Sequence, residues 1–208
     1  MEADIDPSLH RSGKRPDWEK IPRRRWNIWQ RVAHETGGTL TIGNVLTAIG
    51  FVMVLAGLVA IIKEAYWHGL WLVIVGRICD ILDGWSAHQT RTKSPFGELF
   101  DSTADKLETA AALIVLTLTS VFPPWAAALV FIPQLAIATL TGIRLRSGRR
   151  LHPSRLGKFA MAAAWLGIGV FILAAASPSD LVTSLGYALC GASAILSLVS
   201  LQAYYRSE

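Results

Sequence analysis

The chain has 208 residues, of which 52% are hydrophobic, with eight tryptophans and a formal net charge of +5. This length accommodates one domain, and the hydrophobic fraction exceeds what an ordinary water-soluble domain carries. The composition therefore excludes the ordinary soluble classes and indicates a protein whose main solvent is a lipid bilayer.

The first forty residues are polar and contain eight of the 20 Lys and Arg residues. They include no apolar core of the kind that a cleaved signal peptide needs, so we expect the N-terminus to be retained. Within them, DWEKIPRRRWNIWQRVAHE (17–35) mixes Trp and Ile with basic side chains, which is typical of an amphipathic helix at a membrane surface. A solvated charged tail is the alternative. We expect residues 1–40 to form a cytoplasmic segment that includes this interfacial helix.

Six mainly apolar runs follow, each of roughly 20 residues and long enough to cross a bilayer as a helix. Their approximate bounds are 41–62, 69–87, 99–122, 125–144, 157–176 and 180–204. The predicted fold class is therefore an all-α integral membrane protein, with six transmembrane helices in one domain over 41–208. Cys79 and Cys190 lie in these runs without C-x-x-C spacing, which favours buried thiols over a disulfide or a zinc site.

Basic residues lie almost entirely on one side of the predicted membrane. Of the 20 Lys and Arg residues, only Lys63 falls in a loop on the other side, while Arg77 and Lys106 are left inside predicted spans. By the positive-inside rule, both termini and the loop 88–98 face the cytoplasm. An even number of spans agrees with this orientation.

Four aspartates lie where the second and third runs meet, in CDILDGWSAHQTRTKSPFGELFDSTADKLE. Residues three and four apart share a helix face, so Asp80 and Asp83 line one stripe and Asp101 and Asp105 line another. The short loop makes the two helices antiparallel neighbours, so these stripes can face each other. One ionised Asp at the centre of a bilayer costs about 2.5 to 3.5 kcal/mol, and four repel one another. We therefore expect a cation among them, and oxygen-only ligands favour Mg²⁺ or Mn²⁺ over zinc.

Two glycines adjoin these aspartates. Gly84 and Gly97 each cost a helix about 1 kcal/mol relative to Ala, yet they clear space beside Asp80 and Asp101 for a bulky ligand. Close packing of small residues between helices is the alternative.

The order D-x-x-D-G-x-x-A, followed by G-x-x-x-D-x-x-x-D, resembles the signature of the CDP-alcohol phosphatidyltransferase family. The seven positions that carry it here are Asp80, Asp83, Gly84, Ala87, Gly97, Asp101 and Asp105. The resemblance implies a membrane enzyme in which an alcohol displaces CMP from a CDP-linked lipid, with two divalent ions held by the aspartates. It also implies a homodimer.

The resemblance assigns roles to the four aspartates. It implies that Asp80, Asp83 and Asp101 are metal ligands. It implies that Asp105 both contacts metal and accepts the proton of the attacking hydroxyl as the catalytic base, which agrees with the chemistry that paired divalent ions and a carboxylate can perform.

Two departures from the family pattern concern the nucleotide. The family usually has Ala-Arg where this chain has Ala87-His88, so one cationic contact is absent, pH-dependent or supplied by Arg91. TIGNVLTAIG resembles the family's P-N-x-x-T opening, with Gly43 in place of proline. The resemblance implies a CDP-binding set of Asn44, Thr47, Gly84, Ala87, His88, Arg91 and Gly97. For Asn44 and Thr47, a plain polar helix start is the alternative.

The acceptor alcohol is suggested by a later segment. The P-S-x-L-G-K portion of RLHPSRLGKFA resembles the equivalent region of phosphatidylglycerophosphate synthases, and there is no R-P-E-R segment of the inositol-phosphate kind. This implies glycerol 3-phosphate as acceptor, with Arg144, Arg155 and Lys158 as candidate ligands of its phosphate. Ordinary positive-inside charge and contact with anionic lipid are the alternative.

The expected function is transfer of a phosphatidyl group from CDP-diacylglycerol to glycerol 3-phosphate, with release of CMP, at the cell (inner) membrane. Inositol phosphate, serine and phosphatidylglycerol are alternative acceptors. The expected partners are these substrates, membrane lipids and a second copy of the chain, with no nucleic acid. A cation-binding membrane transporter is the alternative of a different class. A conduction path should continue across the membrane, yet Asp180 is the one acidic residue of the last three runs.

Overall fold

The protein is described by a computed structural model over residues 16–20, 22–146 and 155–206. Within these ranges every regular element is a helix and no strand occurs. The all-α prediction is therefore confirmed. The α-helices are numbered α1 to α7 in chain order, and two short 3₁₀ turns, Asp17–Lys20 and Arg23–Arg25, precede α1.

The first α-helix, α1, covers Ile28–Glu35 and begins at a capping box. The Asn27 side chain accepts a hydrogen bond from the Gln30 amide at 2.9 Å, and the Gln30 side chain accepts one from the Asn27 amide at 3.0 Å. This reciprocal pair satisfies donors that a helix start leaves unpaired. The segment 17–35 therefore does not form one continuous helix.

The N-terminal tryptophans differ in their surroundings. Trp29 is 41% exposed and Ile28 is 70% exposed, as side chains at a membrane surface would be. Trp18 is only 2% exposed, and its ring lies so close to Gly38 that a Cβ there would be 2.9 Å from it. Trp18 therefore faces the protein interior, in contrast to the predicted membrane-facing set.

Six long helices coincide with the six apolar runs. They are α2 Ile42–Ile62, α3 Tyr66–Gln89, α4 Pro95–Leu118, α5 Pro124–Arg146, α6 Arg155–Ala176 and α7 Asp180–Arg206. Helix α4 begins before the predicted residue 99, because the Ser94 hydroxyl accepts a hydrogen bond from the Gly97 amide at 2.9 Å and Pro95 suits the first helical position.

Three stretches of the described chain are long and apolar enough to cross a membrane: Ile42–Ile62, Leu156–Ala176 and Asp180–Gln202. Pro124–Ile137 is a shorter apolar stretch. Helices α3 and α4 contain the acidic residues, which lower their mean hydropathy. The apolar helices indicate a membrane protein.

Backbone contacts divide the chain into two compact units. The first takes its described residues from Met1–Ala56 and Leu72–Glu108, and the second from Gly57–Trp71 and Thr109–Glu208. In the second unit, α5 and α6 both pack against α7.

Glycines bring α2 against α3 within the first unit. A Cβ on Gly50 would lie 3.0 Å from the Gly76 carbonyl oxygen, and a Cβ on Gly76 would lie 2.9 Å from that of Gly50. Small residues let two helix backbones approach in this way. The contact places the start of α2 beside the aspartates of α3.

Candidate active site

A cleft of about 160 Å³ in the first unit collects residues from α2, α3 and the start of α4. Its lining residues are Thr41, Gly43, Asn44, Thr47, Asp83, Gly84, Ala87, Thr92, Lys93, Ser94, Gly97, Glu98 and Asp101. Both halves of the motif therefore contribute to one concave surface, as ligand sites require.

Asp83 is held in place by α2. It is 5% exposed, and its Oδ2 accepts a hydrogen bond from the Thr47 hydroxyl at 2.5 Å. Thr47 is itself 3% exposed. Hydrogen bonds to an ionised group are short and strong, so Thr47 fixes the orientation of this carboxylate.

Asn44 shapes the part of the cleft next to Gly97 of α4. Its side-chain amide donates hydrogen bonds to the carbonyl oxygens of Thr39, at 2.8 Å, and Gly38, at 3.2 Å. Its Oδ1 then lies where a Cβ on Gly97 would be only 2.6 Å away. Gly97 is therefore required for close approach of α4 to Asn44.

Gly84 has different surroundings from Gly97. A Cβ at Gly84 would meet no atom of the described chain within 4 Å. The space beside Gly84 is therefore open, as expected for ligand approach, whereas the space beside Gly97 is filled by Asn44, which corresponds to the packing alternative.

Arg77 lies among the carboxylates that do not line the cleft. Its Nη1 is 2.6 Å from Asp80 Oδ2 and 2.9 Å from Glu108 Oε2, and its Nη2 is 3.0 Å from Asp105 Oδ1. Asp80 belongs to α3, and Asp105 and Glu108 belong to α4. A single guanidinium therefore links the two helices that carry the motif.

The four motif aspartates offer the hard oxygen ligands that Mg²⁺ and Mn²⁺ prefer. Asp83 and Asp101 line the cleft, while Asp80 and Asp105 meet through Arg77. Asp80 is within electrostatic range of both Asp101 and Asp105. In the described part of the chain, no three His, Cys, Asp or Glu side chains converge closely enough to hold a metal ion. The donor chemistry of the four carboxylates thus fits a hard divalent cation.

Other predicted contacts are not among the residues that line the cleft or fall outside the described residues. His88 and Arg91 are exposed and do not belong to the residues that line the cleft. Lys158 is exposed on α6. Residues 147–154, which include Pro153 and Ser154 of the P-S-x-L-G-K segment, lie outside the described residues, as do the side chains of Arg144 and Arg155.

Four charged side chains beside the motif were not predicted as site residues. Lys93 and Glu98 line the cleft, Arg77 contacts two motif aspartates, and Glu108 contacts Arg77. The helical period contains the signal for two of them, because Arg77 precedes Asp80 by one turn and Glu108 follows Asp105 by one turn.

Residues 40–199 match the sequence profile of the CDP-alcohol phosphatidyltransferase family. The matched region contains every residue that lines the cleft, as well as Arg77 and Glu108.

Individual relatives bear a more specific name. The Bacillus subtilis CDP-diacylglycerol--glycerol-3-phosphate 3-phosphatidyltransferase is 28% identical over 112 residues, covering 54% of this chain and 58% of that protein. Two Arabidopsis thaliana proteins of the same name also match. The one numbered 2 is 30% identical over 188 residues, covering 80% of this chain and 79% of its own length. The chloroplastic/mitochondrial protein numbered 1 is 31% identical over 188 residues, covering 80% of this chain and 62% of its own length. The matches to the Bacillus protein and to the Arabidopsis protein numbered 1 thus span less than two thirds of those proteins.

Proposed function

The chain belongs to the CDP-alcohol phosphatidyltransferase family, and we propose that it transfers the phosphatidyl group of CDP-diacylglycerol to glycerol 3-phosphate and releases CMP. It is a membrane transferase of phospholipid biosynthesis. The relatives named for this reaction support the choice of donor and acceptor.

One observation carries the proposal. The cleft contains Asp83, Gly84 and Ala87 from the first half of the motif, and Gly97 and Asp101 from the second. Because α3 and α4 contribute to the same concave surface, a ligand there would meet both halves at once.

Asp80, Asp83 and Asp101 are proposed as metal ligands, together with Asp105. When bound, paired Mg²⁺ or Mn²⁺ ions would neutralise the pyrophosphate and stabilise the charge on the leaving phosphate. In this assignment Thr47 keeps Asp83 directed at the cleft through its hydrogen bond.

Asp105 is proposed as the general base. An oxygen of its carboxylate accepts the proton of the acceptor hydroxyl as that hydroxyl oxygen attacks the phosphorus that bears the diacylglycerol. One phosphorus–oxygen bond forms to the acceptor, and the bond to CMP breaks. CMP leaves with the electron pair, so atoms and charge balance.

The nucleotide is proposed to occupy the cleft beside Gly84, where a side chain would find open space. Asn44, Thr47, Ala87 and Gly97 complete the predicted set along the cleft wall. Contacts from His88 and Arg91 stay predictions.

Lys93 adds a cation to the cleft wall that the sequence analysis did not assign. In this chain it is a candidate for the cationic contact that the family pattern usually places after Ala87.

Arg144, Arg155 and Lys158 are proposed to bind the acceptor phosphate. Arginine can grip a phosphate through two parallel hydrogen bonds, whereas lysine acts as a point charge. The strongly basic segment that contains them supports this assignment.

The membrane arrangement is also a proposal. Helices α2 to α7 would span the cell (inner) membrane six times in the domain 41–208, with both termini and the cleft on the cytoplasmic side. The exposed Ile28 and Trp29 support an interfacial position for α1 in the segment 1–40. Two copies would form a homodimer.

The proposed reaction is tested by incubating the purified protein with CDP-diacylglycerol and a panel of alcohols, with the lipid product identified by mass. Phosphatidylglycerophosphate should form from glycerol 3-phosphate, in step with CMP. A product formed only from serine or inositol phosphate would overturn the acceptor, and no CMP release with any alcohol would overturn the transfer itself.

A further inference from the structure

Two charged residues beside the motif aspartates, Arg77 and Glu108, have no role in the transfer proposed above. Arg77 lies one turn before Asp80 and pairs with Asp80, Asp105 and Glu108. The Glu108 side chain is 1% exposed, whereas that of Arg77 is 25% exposed. Two of these carboxylates are therefore motif aspartates, and that of Glu108 is almost fully buried.

Glu108 is an unusual group to find at this depth. Its Oε2 accepts a hydrogen bond from Arg77 at 2.9 Å, but its buried Oε1 has no hydrogen-bond partner among the described residues. A buried carboxylate that is only partly satisfied is costly, and a well-packed apolar side chain is often no less stable. Stability alone therefore gives no reason for Glu108, and its contact with Arg77 indicates a role through that residue.

Arg77 contacts the oxygen of Asp80 that does not pack against α2. Asp80 Oδ1 lies against α2, where a Cβ on Gly50 would be only 2.6 Å from it. Asp80 Oδ2 is the oxygen that Arg77 approaches at 2.6 Å. On Asp105, Oδ1 is likewise 3.0 Å from the guanidinium. A cation that uses these two oxygens to bind Asp80 and Asp105 together shares them with Arg77 or displaces it.

We propose that Arg77 competes with divalent metal for Asp80 and Asp105, and that Glu108 draws Arg77 aside and so sets the strength of this competition. The inference rests on the proposed function, because it takes the aspartates as metal ligands. Arg77 and Glu108 are positioning residues that act through Asp80 and Asp105.

The two residues should then have opposite effects on metal affinity. Removing the charge of Arg77 frees the aspartates and takes a positive charge away from the metal. Removing the charge of Glu108 leaves Arg77 more strongly bound to the aspartates and also removes a negative charge nearby. From Coulomb's law at a few ångströms, we expect the removal of either charge to change the dissociation constant of the metal about tenfold. A purely structural ion pair would instead weaken metal binding in both variants.

The test is a titration of the purified, detergent-solubilised protein with Mn²⁺ in the absence of lipid substrate, with free Mn²⁺ followed by its electron paramagnetic resonance signal. We expect Arg77→Gln to bind Mn²⁺ about tenfold more tightly and Glu108→Gln about tenfold more weakly. The double variant and Arg77→Lys, which each keep the balance of charge, should stay within about threefold of the unaltered protein. Exposed α1 residues give the matched controls, Arg31→Gln and Glu35→Gln, which should leave the affinity unchanged.

A shift in the same direction for Arg77→Gln and Glu108→Gln would overturn the proposal, as would unchanged affinity in both. If Arg77→Gln does not fold, the double variant decides in its place: recovery of Mn²⁺ affinity relative to Glu108→Gln supports the proposal, because removal of Arg77 then relieves the competition, whereas equal or weaker binding contradicts it. Absence of Mn²⁺ binding by every variant contradicts it too, while CMP release still judges the transfer reaction separately.

Discussion

The two compact units bury different kinds of polar groups. In the described residues, the second unit buries no acidic or basic side chain, and its buried Ser and Thr residues are Thr109, Ser193, Ser197 and Ser200. The first unit buries two carboxylates, Asp83 and Glu108, and two side-chain amides, Gln30 and Asn44. A hydroxyl can satisfy itself on a helix backbone or a neighbour, as Ser193 does with the Ala160 carbonyl oxygen at 2.8 Å. Burying a carboxylate costs free energy unless a partner offsets its charge. The buried carboxylates therefore indicate that the first unit contains the functional site.

The cavities of the two units make the same contrast. A cavity of about 540 Å³ lies in the second unit, and its described lining, from Tyr66, Phe122 and Tyr187 to Thr117 and Ser120, contains no charged side chain. The smaller cleft of about 160 Å³ in the first unit contains Asp83, Asp101, Glu98 and Lys93. Convergent charged groups therefore locate the candidate site better than volume does.

Among tests that compare the two units, the largest loss of turnover is expected from a substitution of Asp105. Asp105→Asn removes the proposed base, so the turnover number should fall by ~10² to 10⁴ while binding of the CDP-lipid changes little. The matched change in the second unit is Ser193→Ala, which removes a buried hydrogen bond outside the site and should leave turnover near its original value. Turnover and lipid binding measured on both variants check this. Near-normal turnover in Asp105→Asn would leave it as a metal ligand at most.

A smaller effect is expected at Thr47, which orients Asp83. Thr47→Val removes the hydrogen bond to the Asp83 carboxylate, and a bond to a charged group contributes about 1.5 to 3 kcal/mol. The specificity constant for CDP-diacylglycerol should therefore fall by about tenfold or more. Thr47→Ser keeps the hydroxyl and should retain most of the activity. If both variants lose activity equally, the methyl packing of Thr47 matters and the hydrogen bond does not.

Substitutions of Gly84 and Gly97 should distinguish a glycine needed for ligand binding from one needed for helix packing. Gly97→Ala forces a Cβ against Asn44 Oδ1, at 2.6 Å in the present geometry, and overpacking costs about 1 to 3 kcal/mol. Gly84→Ala meets open space, so it should preserve thermal stability in detergent while raising the KM for CDP-diacylglycerol. Equal losses of stability in the two variants would contradict the inference that the space beside Gly84 is open and that beside Gly97 is filled.

The smallest effect is expected at the basic segment near the start of α6. Arg155→Ala or Arg144→Ala should raise the KM for glycerol 3-phosphate by about three- to tenfold, because one phosphate contact is lost. The KM for CDP-diacylglycerol should change much less. Paired KM measurements in mixed micelles at fixed ionic strength test this. Equal changes for both substrates would indicate general surface charge instead of an acceptor site.

Most of the helical framework could be predicted because apolar runs of bilayer length leave few alternatives. The motif residues of the cleft, Asp83, Gly84 and Asp101, followed from the helical period and the resemblance together. Arg77 was noticed only as a basic residue inside a span, since charge counting gives orientation and does not show which side chains meet.

Other features depend on tertiary contacts that no local pattern encodes. The burial of Trp18 requires Gly38 nearby, and the filling of the space at Gly97 requires Asn44 from another helix. Lys93 lies in a loop, where helical periodicity gives no direction for a side chain. Sequence periodicity therefore predicted which residues share a helix face, and the structure showed which of these faces are covered by residues from other elements.

The central claim is that the carboxylates of the first unit, with divalent metal, perform the transfer. It is tested most directly by CMP release from CDP-diacylglycerol and glycerol 3-phosphate, measured with added Mg²⁺, with excess chelator, and in the variants Asp80→Asn and Asp101→Asn. We predict turnover that depends on added metal and is lost in both variants, while their elution in size-exclusion chromatography and their thermal unfolding stay close to those of the unaltered protein. Full turnover in excess chelator, or in either variant, would contradict the claim.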